Sequence, residues 1–298
     1  MRFVRRSAVA MGVGLMVAGL AWAAGTTKVS DQDALKRLQD GNARFVAGKG
    51  EHPRADEARR TDTARGGQHP FATVLACSDS REALEIVFDQ GIGDLFTVRV
   101  AGNVSDTDQI ASVEYGTEHL GTPLLVLMGH SKCGAVTAVV KGEPVHGNLP
   151  ALAARIMPAV EKVRAAHPGA DPADLVPAAI EANVWQSMDD LFRRSPIVRR
   201  LVKEGKLKAV GAVHDLESGQ VRWLGEPPNL AEMLKYTGGP ADHAEGAGGG
   251  HAVGAAEKSQ EAAAPPSTAS WGMVIGSSVG LALGVPLATF LTGRLRRR

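Results

Sequence analysis

Residues 71–81 read Phe-Ala-Thr-Val-Leu-Ala-Cys-Ser-Asp-Ser-Arg, and residues 123–136 read Pro-Leu-Leu-Val-Leu-Met-Gly-His-Ser-Lys-Cys-Gly-Ala-Val. Each opens on an apolar run of strand length and breaks into small and polar residues. A short, continuous apolar run is the pattern of a strand buried on both faces. Two more such runs lie at residues 96–100 and 207–213. Helical spacing separates them. Ala34, Leu35 and Leu38 with Phe45 suggest an early helix; Ile180, Val184, Met188 and Leu191 suggest a later one, which Pro196 either interrupts or follows as the start of the next. Strands alternating with helices predict an α/β fold with a mainly parallel central sheet flanked by helices. Residues 220–224, after Leu216-Glu-Ser-Gly219, read as a hairpin that adds an antiparallel edge strand.

Both opening motifs therefore leave the carboxyl ends of predicted strands, where open α/β sheets bind ligands. His130 and Cys133 are spaced so that one turn presents both to one metal, and Cys77 supplies a third ligand. A Cys₂His set with one open position is a catalytic zinc arrangement, because the open position takes water. A structural zinc would need a fourth protein ligand, and the chain has only two cysteines. A helix starting near Ala135 would place its N-terminus behind the Cys133 thiolate. Asp79 has two candidate roles: a possible fourth ligand that blocks the open position, or a partner of Arg81 that leaves the position to water. The bland alternatives are a Cys77–Cys133 disulfide, two buried apolar cysteines, and an ordinary Asp79–Arg81 surface ion pair.

Cys77-Ser-Asp-Ser-Arg81 followed by Gly129-His-Ser-Lys-Cys-Gly134 resembles the paired signature of β-class carbonic anhydrases. Further segments are similar: Gln68-His-Pro70, Gly93-Asp-Leu-Phe-Thr-Val-Arg99, Ala101-Gly-Asn103, Ser112-Val-Glu-Tyr115, Arg194-Ser-Pro196 and Gly211-Ala-Val-His-Asp215. The resemblance implies the β-carbonic anhydrase fold and zinc-dependent reversible hydration of carbon dioxide to bicarbonate and a proton. It implies one zinc (Zn2+) per chain on Cys77, His130 and Cys133, an Asp79–Arg81 catalytic dyad, and a bicarbonate pocket lined by Gln68, Phe96 and Tyr115. It also implies a homodimer or higher homo-oligomer with the site near the subunit interface, so Phe96 and Tyr115 can serve packing as well. Some members carry an inhibitory bicarbonate site built on a tryptophan three residues before the first cysteine. Val74 stands there, so that site is expected to be absent, although Arg99 matches another part of it. His119 and His146 are proton-shuttle candidates by composition alone, and neither is assigned the role.

The 298 residues carry a formal net charge of +1, which argues against a nucleic-acid partner. The globular domain is expected over residues 29–236. Residues 1–23 have the layout of an export signal: Arg2, Arg5 and Arg6, an apolar run, then Ala21-Trp-Ala23. The Arg5-Arg6 pair allows a twin-arginine signal, and an uncleaved anchor is the alternative. Residues 238–270 read as a flexible linker, Gly-rich at 246–250. Residues 271–291 contain no charge and suit a transmembrane anchor, with a buried core helix as the alternative; residues 292–298 are a basic tail expected to stay cytoplasmic. These ends predict a catalytic domain on the periplasmic face of a bacterial inner membrane. Two rival functions are carried: hydrolysis of a carbon dioxide analogue (carbonyl sulfide or carbon disulfide) on the same ligands, and a non-catalytic bicarbonate-binding membrane adaptor.

Overall fold

The structure, a computed structural model, describes residues 29–239. The expected export signal, most of the linker, the anchor and the basic tail lie outside the described residues. No helix among the described residues is long and apolar enough to cross a membrane.

The chain begins with α1 (Asp31–Val46), capped by the Ser30 hydroxyl, which accepts from the Asp33 N–H. Then come α2 (Glu57–Gly66), β1 (Ala72–Ala76), α3 (Leu84–Val87) and β2 (Leu95–Arg99). After a 3₁₀ turn at Ala101–Asn103, α4 (Thr107–Glu114) starts on a capping box in which Asp106 and Gln109 satisfy each other's backbone N–H groups. A π turn at Tyr115–His119 leads into β3 (Leu124–His130), followed by α5 (Gly134–Lys141) and α6 (Leu149–Ala166). The long α7 (Pro172–Arg194) carries the Ile180–Val184–Met188–Leu191 stripe, and all four residues are buried. Pro196 starts the next helix: Ser195 caps α8 (Pro196–Lys203), where a proline in the first turn has no N–H to lose. β4 (Lys208–His214), β5 (Val221–Gly225) and α9 (Leu230–Met233) complete the order.

The five strands form one sheet in the order β2-β1-β3-β4-β5. β1, β2, β3 and β4 run parallel, and β5 is the antiparallel edge, joined with a register irregularity at Gly211/Ala212. The alternation of side chains along each strand feeds two cores. Val74, Leu124, Val126, Met128, Val210 and Ala212 pack with Ala34 and Leu38 of α1 and with Leu84, Val87 and Phe88. Leu75, Leu125, Leu127 and Ala209 pack with Val184, Met188, Leu191 and Phe192 of α7. A third cluster lies past the carboxyl ends of β1 and β3. There Cys77 and Cys133 are buried with Val136, Val139 and Val140 of α5, Ile156 of α6 and Ile180 of α7.

Candidate active site

β1 and β3 are adjacent and parallel, so their carboxyl ends lie at the same edge of the sheet. Cys77 directly follows β1, His130 is the last residue of β3, and Cys133 caps α5. Three residues spread over 57 positions of sequence thereby bring their Sγ and ring-nitrogen atoms within 4.8 Å of one another. All three are buried, and both thiols are free.

Local contacts aim these atoms. His130 Nδ1–H donates to the Ser131 carbonyl oxygen at 2.9 Å, which leaves Nε2 free to take a metal. Nε2 is buried and has no hydrogen-bond partner among the described residues. The Gly102 N–H donates to Cys77 Sγ at 3.3 Å. Cys133 sits at the start of α5, where the N–H groups of Ala135 and Val136 favour a thiolate. The hydrogen bond from Cys133 pulls the Cys77 thiol down to about 4 against the opposing effect of burial, helped by His130 and the Gly102 N–H. Sharing that proton with Cys77, together with burial, pushes Cys133 up. Two buried soft sulfurs and an aimed, unpartnered imidazole nitrogen form a donor set that fits zinc.

Asp79 stands beside this cluster. Arg81 donates from Nε to Asp79 Oδ1 at 2.8 Å and from Nη2 to Oδ2 at 2.7 Å, and its backbone N–H also reaches Oδ1 at 3.0 Å. This pairing outweighs desolvation and holds the Asp79 carboxyl well below the usual carboxylate range. Asp79 Oδ2 lies 3.8 Å from His130 Nε2. The loop itself is held by Arg99, which donates from Nε to the Cys77 carbonyl at 2.9 Å and from Nη2 to the Asp79 carbonyl at 2.6 Å. Val74 is fully buried in β1.

Phe96 and Tyr115, two of the three residues expected to line a bicarbonate pocket, pack on each other toward the start of β1 and β2. Phe96 is level with Thr73 in the β1–β2 register, four residues before Cys77 and so roughly 13 Å short of it along the strand. The Tyr115 ring packs on Phe96 with centroids 5.8 Å apart and is 42% exposed. Gln68 is exposed in the segment between α2 and β1. His119 and His146 are also exposed, His119 with its ring 5.4 Å from that of Tyr115.

Sequence reasoning assigns no role to Gly102, Glu82 or His214, which the fold brings around the ligand loops. The only sequence signals are an ionisable residue directly after Arg81 and a histidine ending an otherwise apolar strand.

Comparison with known proteins gives consistent matches. A family model described as carbonic anhydrase matches residues 72–221. Carbonic anhydrase 2 of Mycobacterium tuberculosis is 37% identical over 205 residues, covering 67% of this chain and 96% of the relative. The carbonic anhydrase of Mycolicibacterium smegmatis is 38% identical over 204 residues, with the same coverage. A crystal structure of a β-carbonic anhydrase from Aspergillus fumigatus superposes with a TM-score of 0.54 at 28% identity, covering 68% of this chain and 96% of that one. Its parallel sheet with an antiparallel edge, its Cys-His-Cys cluster and these relatives, matched almost end to end, make this chain a member of the β-carbonic anhydrase family.

Proposed function

We propose that the chain catalyses the reversible hydration of carbon dioxide to bicarbonate and a proton, with one zinc held by Cys77, His130 and Cys133. The observation that carries this reading is the convergence of the three ligand atoms within 4.8 Å beside a paired Asp79–Arg81. When bound, zinc supplies Lewis acidity that brings the pKa of water toward neutrality and so makes a nucleophile available.

The protein's own groups do the rest. The two cysteines would bind as thiolates and His130 as a neutral imidazole, its Nδ1 proton held toward the Ser131 carbonyl oxygen. Arg81 keeps Asp79 ionised and paired, which would leave the open position to water. Asp79 would accept a hydrogen bond from the attacking hydroxide without taking its proton, and so fix its lone pair toward carbon dioxide, an orienting role. The buried apolar surroundings of Cys77 and Cys133 limit bulk water behind the ligands.

The same reading includes a homodimer. Exposed Tyr115 packed on half-buried Phe96 of edge strand β2 gives a face that a second copy would cover. It places the domain in a bacterial periplasm, exported by residues 1–23 and anchored through residues 271–291, on the strength of sequence pattern alone.

The test is zinc content together with stopped-flow hydration on the purified chain. We expect about one zinc per chain, as a single Cys₂His site demands, and loss of zinc and activity together in Cys77→Ser, His130→Ala and Cys133→Ser. A zinc-free, fully active Cys133→Ser protein would refute the assignment. Carbonyl sulfide and carbon disulfide assayed beside carbon dioxide separate hydration from analogue hydrolysis.

A further inference from the structure

Glu82 and His214 are both buried, at 0% and 2% exposure, yet they come from ends of the domain 132 residues apart. His214 Nδ1–H donates to Glu82 Oε1 at 3.3 Å. Neither Glu82 Oε2 nor His214 Nε2 has a hydrogen-bond partner among the described residues. A buried carboxylate and a buried imidazole are costly to desolvate, and a pair kept so deep calls for a role that apolar side chains could not fill.

The position of each partner suggests that role. Glu82 closes the Cys77 loop: its N–H donates to the Asp79 carbonyl at 3.0 Å. His214 ends β4 and is the register partner of His130 at the end of β3. His130 continues the row of Val126 and Met128, and His214 that of Val210 and Ala212, so both project from the same face of the sheet. The His214 carbonyl accepts the Ser131 N–H at 2.8 Å, inside the His130–Cys133 turn. Two residues further on, the Leu216 N–H donates to Ser131 Oγ at 2.9 Å. The end of β4 is thus fastened by backbone to the turn that carries two ligands. Glu82 fastens the same strand end to the loop that carries the third.

We propose that the Glu82–His214 hydrogen bond is a positioning bridge that fixes the Cys77 loop against the His130–Cys133 turn and thereby sets metal affinity. Sheet pairing alone leaves the two loops independent beyond the strand ends, since the β1–β3 register stops at Leu75 and Leu127. Arg81 Nη2 reaches the Lys132 carbonyl at 3.5 Å on the exposed side, and the bridge is the buried side-chain link between the same two loops. It acts through the ligands and touches no substrate. The inference rests on Cys77, His130 and Cys133 being the zinc ligands.

The test is zinc affinity, measured by competition with a chromophoric chelator on the full chain at a temperature where every variant is folded. Glu82→Ala and His214→Ala should each weaken zinc binding about 10-fold or more, in the range seen for partners that support metal ligands. Removing both should cost little more than removing one, because either change breaks the same bridge. Glu82→Gln keeps an acceptor for His214 and should stay within about 3-fold of the parent by the same measure. Leu38→Ala, in the core under α1, serves as a variant destabilised elsewhere and should bind zinc like the parent. Parent-like affinity in both alanine variants would overturn the bridge, as would Glu82→Gln being as weak as Glu82→Ala, or Leu38→Ala losing affinity equally. A parent chain that binds no zinc would overturn the ligand assignment itself, and the bridge with it.

Discussion

Gly102 holds a left-handed conformation at φ 70° and from it donates its N–H to Cys77 Sγ across 3.3 Å. A β-carbon at this position would meet Ile156 Cδ1 at 2.7 Å and Ala135 Cβ at 3.3 Å. Gly102→Ala therefore suffers twice, from the backbone region and from the close approach of α5 and α6. We expect a stability loss of about 1–3 kcal/mol in urea denaturation, and faster zinc release to a chelator as the shifted backbone N–H moves away from the thiolate. Unchanged stability and unchanged release would show that this turn does not need glycine.

Arg81 is the second target. It gives Asp79 two side-chain hydrogen bonds in fork geometry, which a lysine cannot reproduce. In Arg81→Ala the carboxylate loses the partner that fixes its direction. Hydration should fall about 100-fold, the scale on which misplacement of an orienting group acts, while zinc content stays at the parent level. Arg81→Lys should lie between the two. The measurement is stopped-flow hydration at equal zinc occupancy. Parent rates in Arg81→Ala would reduce the pair to an ordinary surface salt bridge.

Lys132, between the two ligands of the second motif, also has a positive φ, 58°. Its neighbour Ser131 is tied to His214 and Leu216, so the turn is fixed from both sides. Lys132→Gly relieves a conformation that costs an L-residue about 1–2 kcal/mol and should raise or preserve the melting temperature with zinc retained. Lys132→Val adds a β-branch where the backbone tolerates it least and should lower both. The reverse order of the two variants in a thermal melt would contradict the strained-turn account.

Much of this arrangement is legible in the sequence because it is local. The apolar runs at 71–76, 96–100, 123–128 and 207–213 fall on β1 to β4 within a residue or two; burial on both faces leaves β1, β3 and most of β4 without polar alternation, whereas edge strand β2 exposes Thr97 and Arg99. The ligand motifs follow because strand ends are where such sheets stop. α2 carried no signal: none of its residues is buried, so no apolar stripe marks it. α6 was obscured by Pro158 inside it. Glu82 and His214 meet through the β1–β3 and β3–β4 pairings together, a relation that no spacing along the chain encodes. The packing of Tyr115 on Phe96 is not encoded by their spacing, because it depends on how the turn after α4 meets edge strand β2.

Asp89 provides the test of stability against pH. Its side chain is 1% exposed, with Arg44 Nε at 2.5 Å and the N–H groups of His52 and Glu51 at 2.8 Å and 3.0 Å. Burial acts to raise its carboxyl, but the Arg44 hydrogen bond and the two N–H donors outweigh it, so the folded value lies below the ordinary one. The sign follows from linkage: the unfolded carboxyl titrates near about 3.9, so above that pH the full contribution is present, and it is lost as pH falls through the lower, folded value. Asp89→Asn leaves Arg44 without its buried partner and turns one acceptor into a donor facing N–H groups. At pH 7 we expect the variant to be less stable by about 3 kcal/mol, the scale of a broken buried pair. Other carboxylates also titrate as the pH is lowered, so the quantity to follow is the gap between parent and variant. Urea midpoints measured on both from pH 7 down to about 3 should show that gap steady at first and narrowing below about pH 4, as the parent alone gives up the Asp89 charge. A gap that stays constant to the lowest pH would mean that Asp89 takes up its proton equally in the folded and unfolded chains, against the lowered folded value.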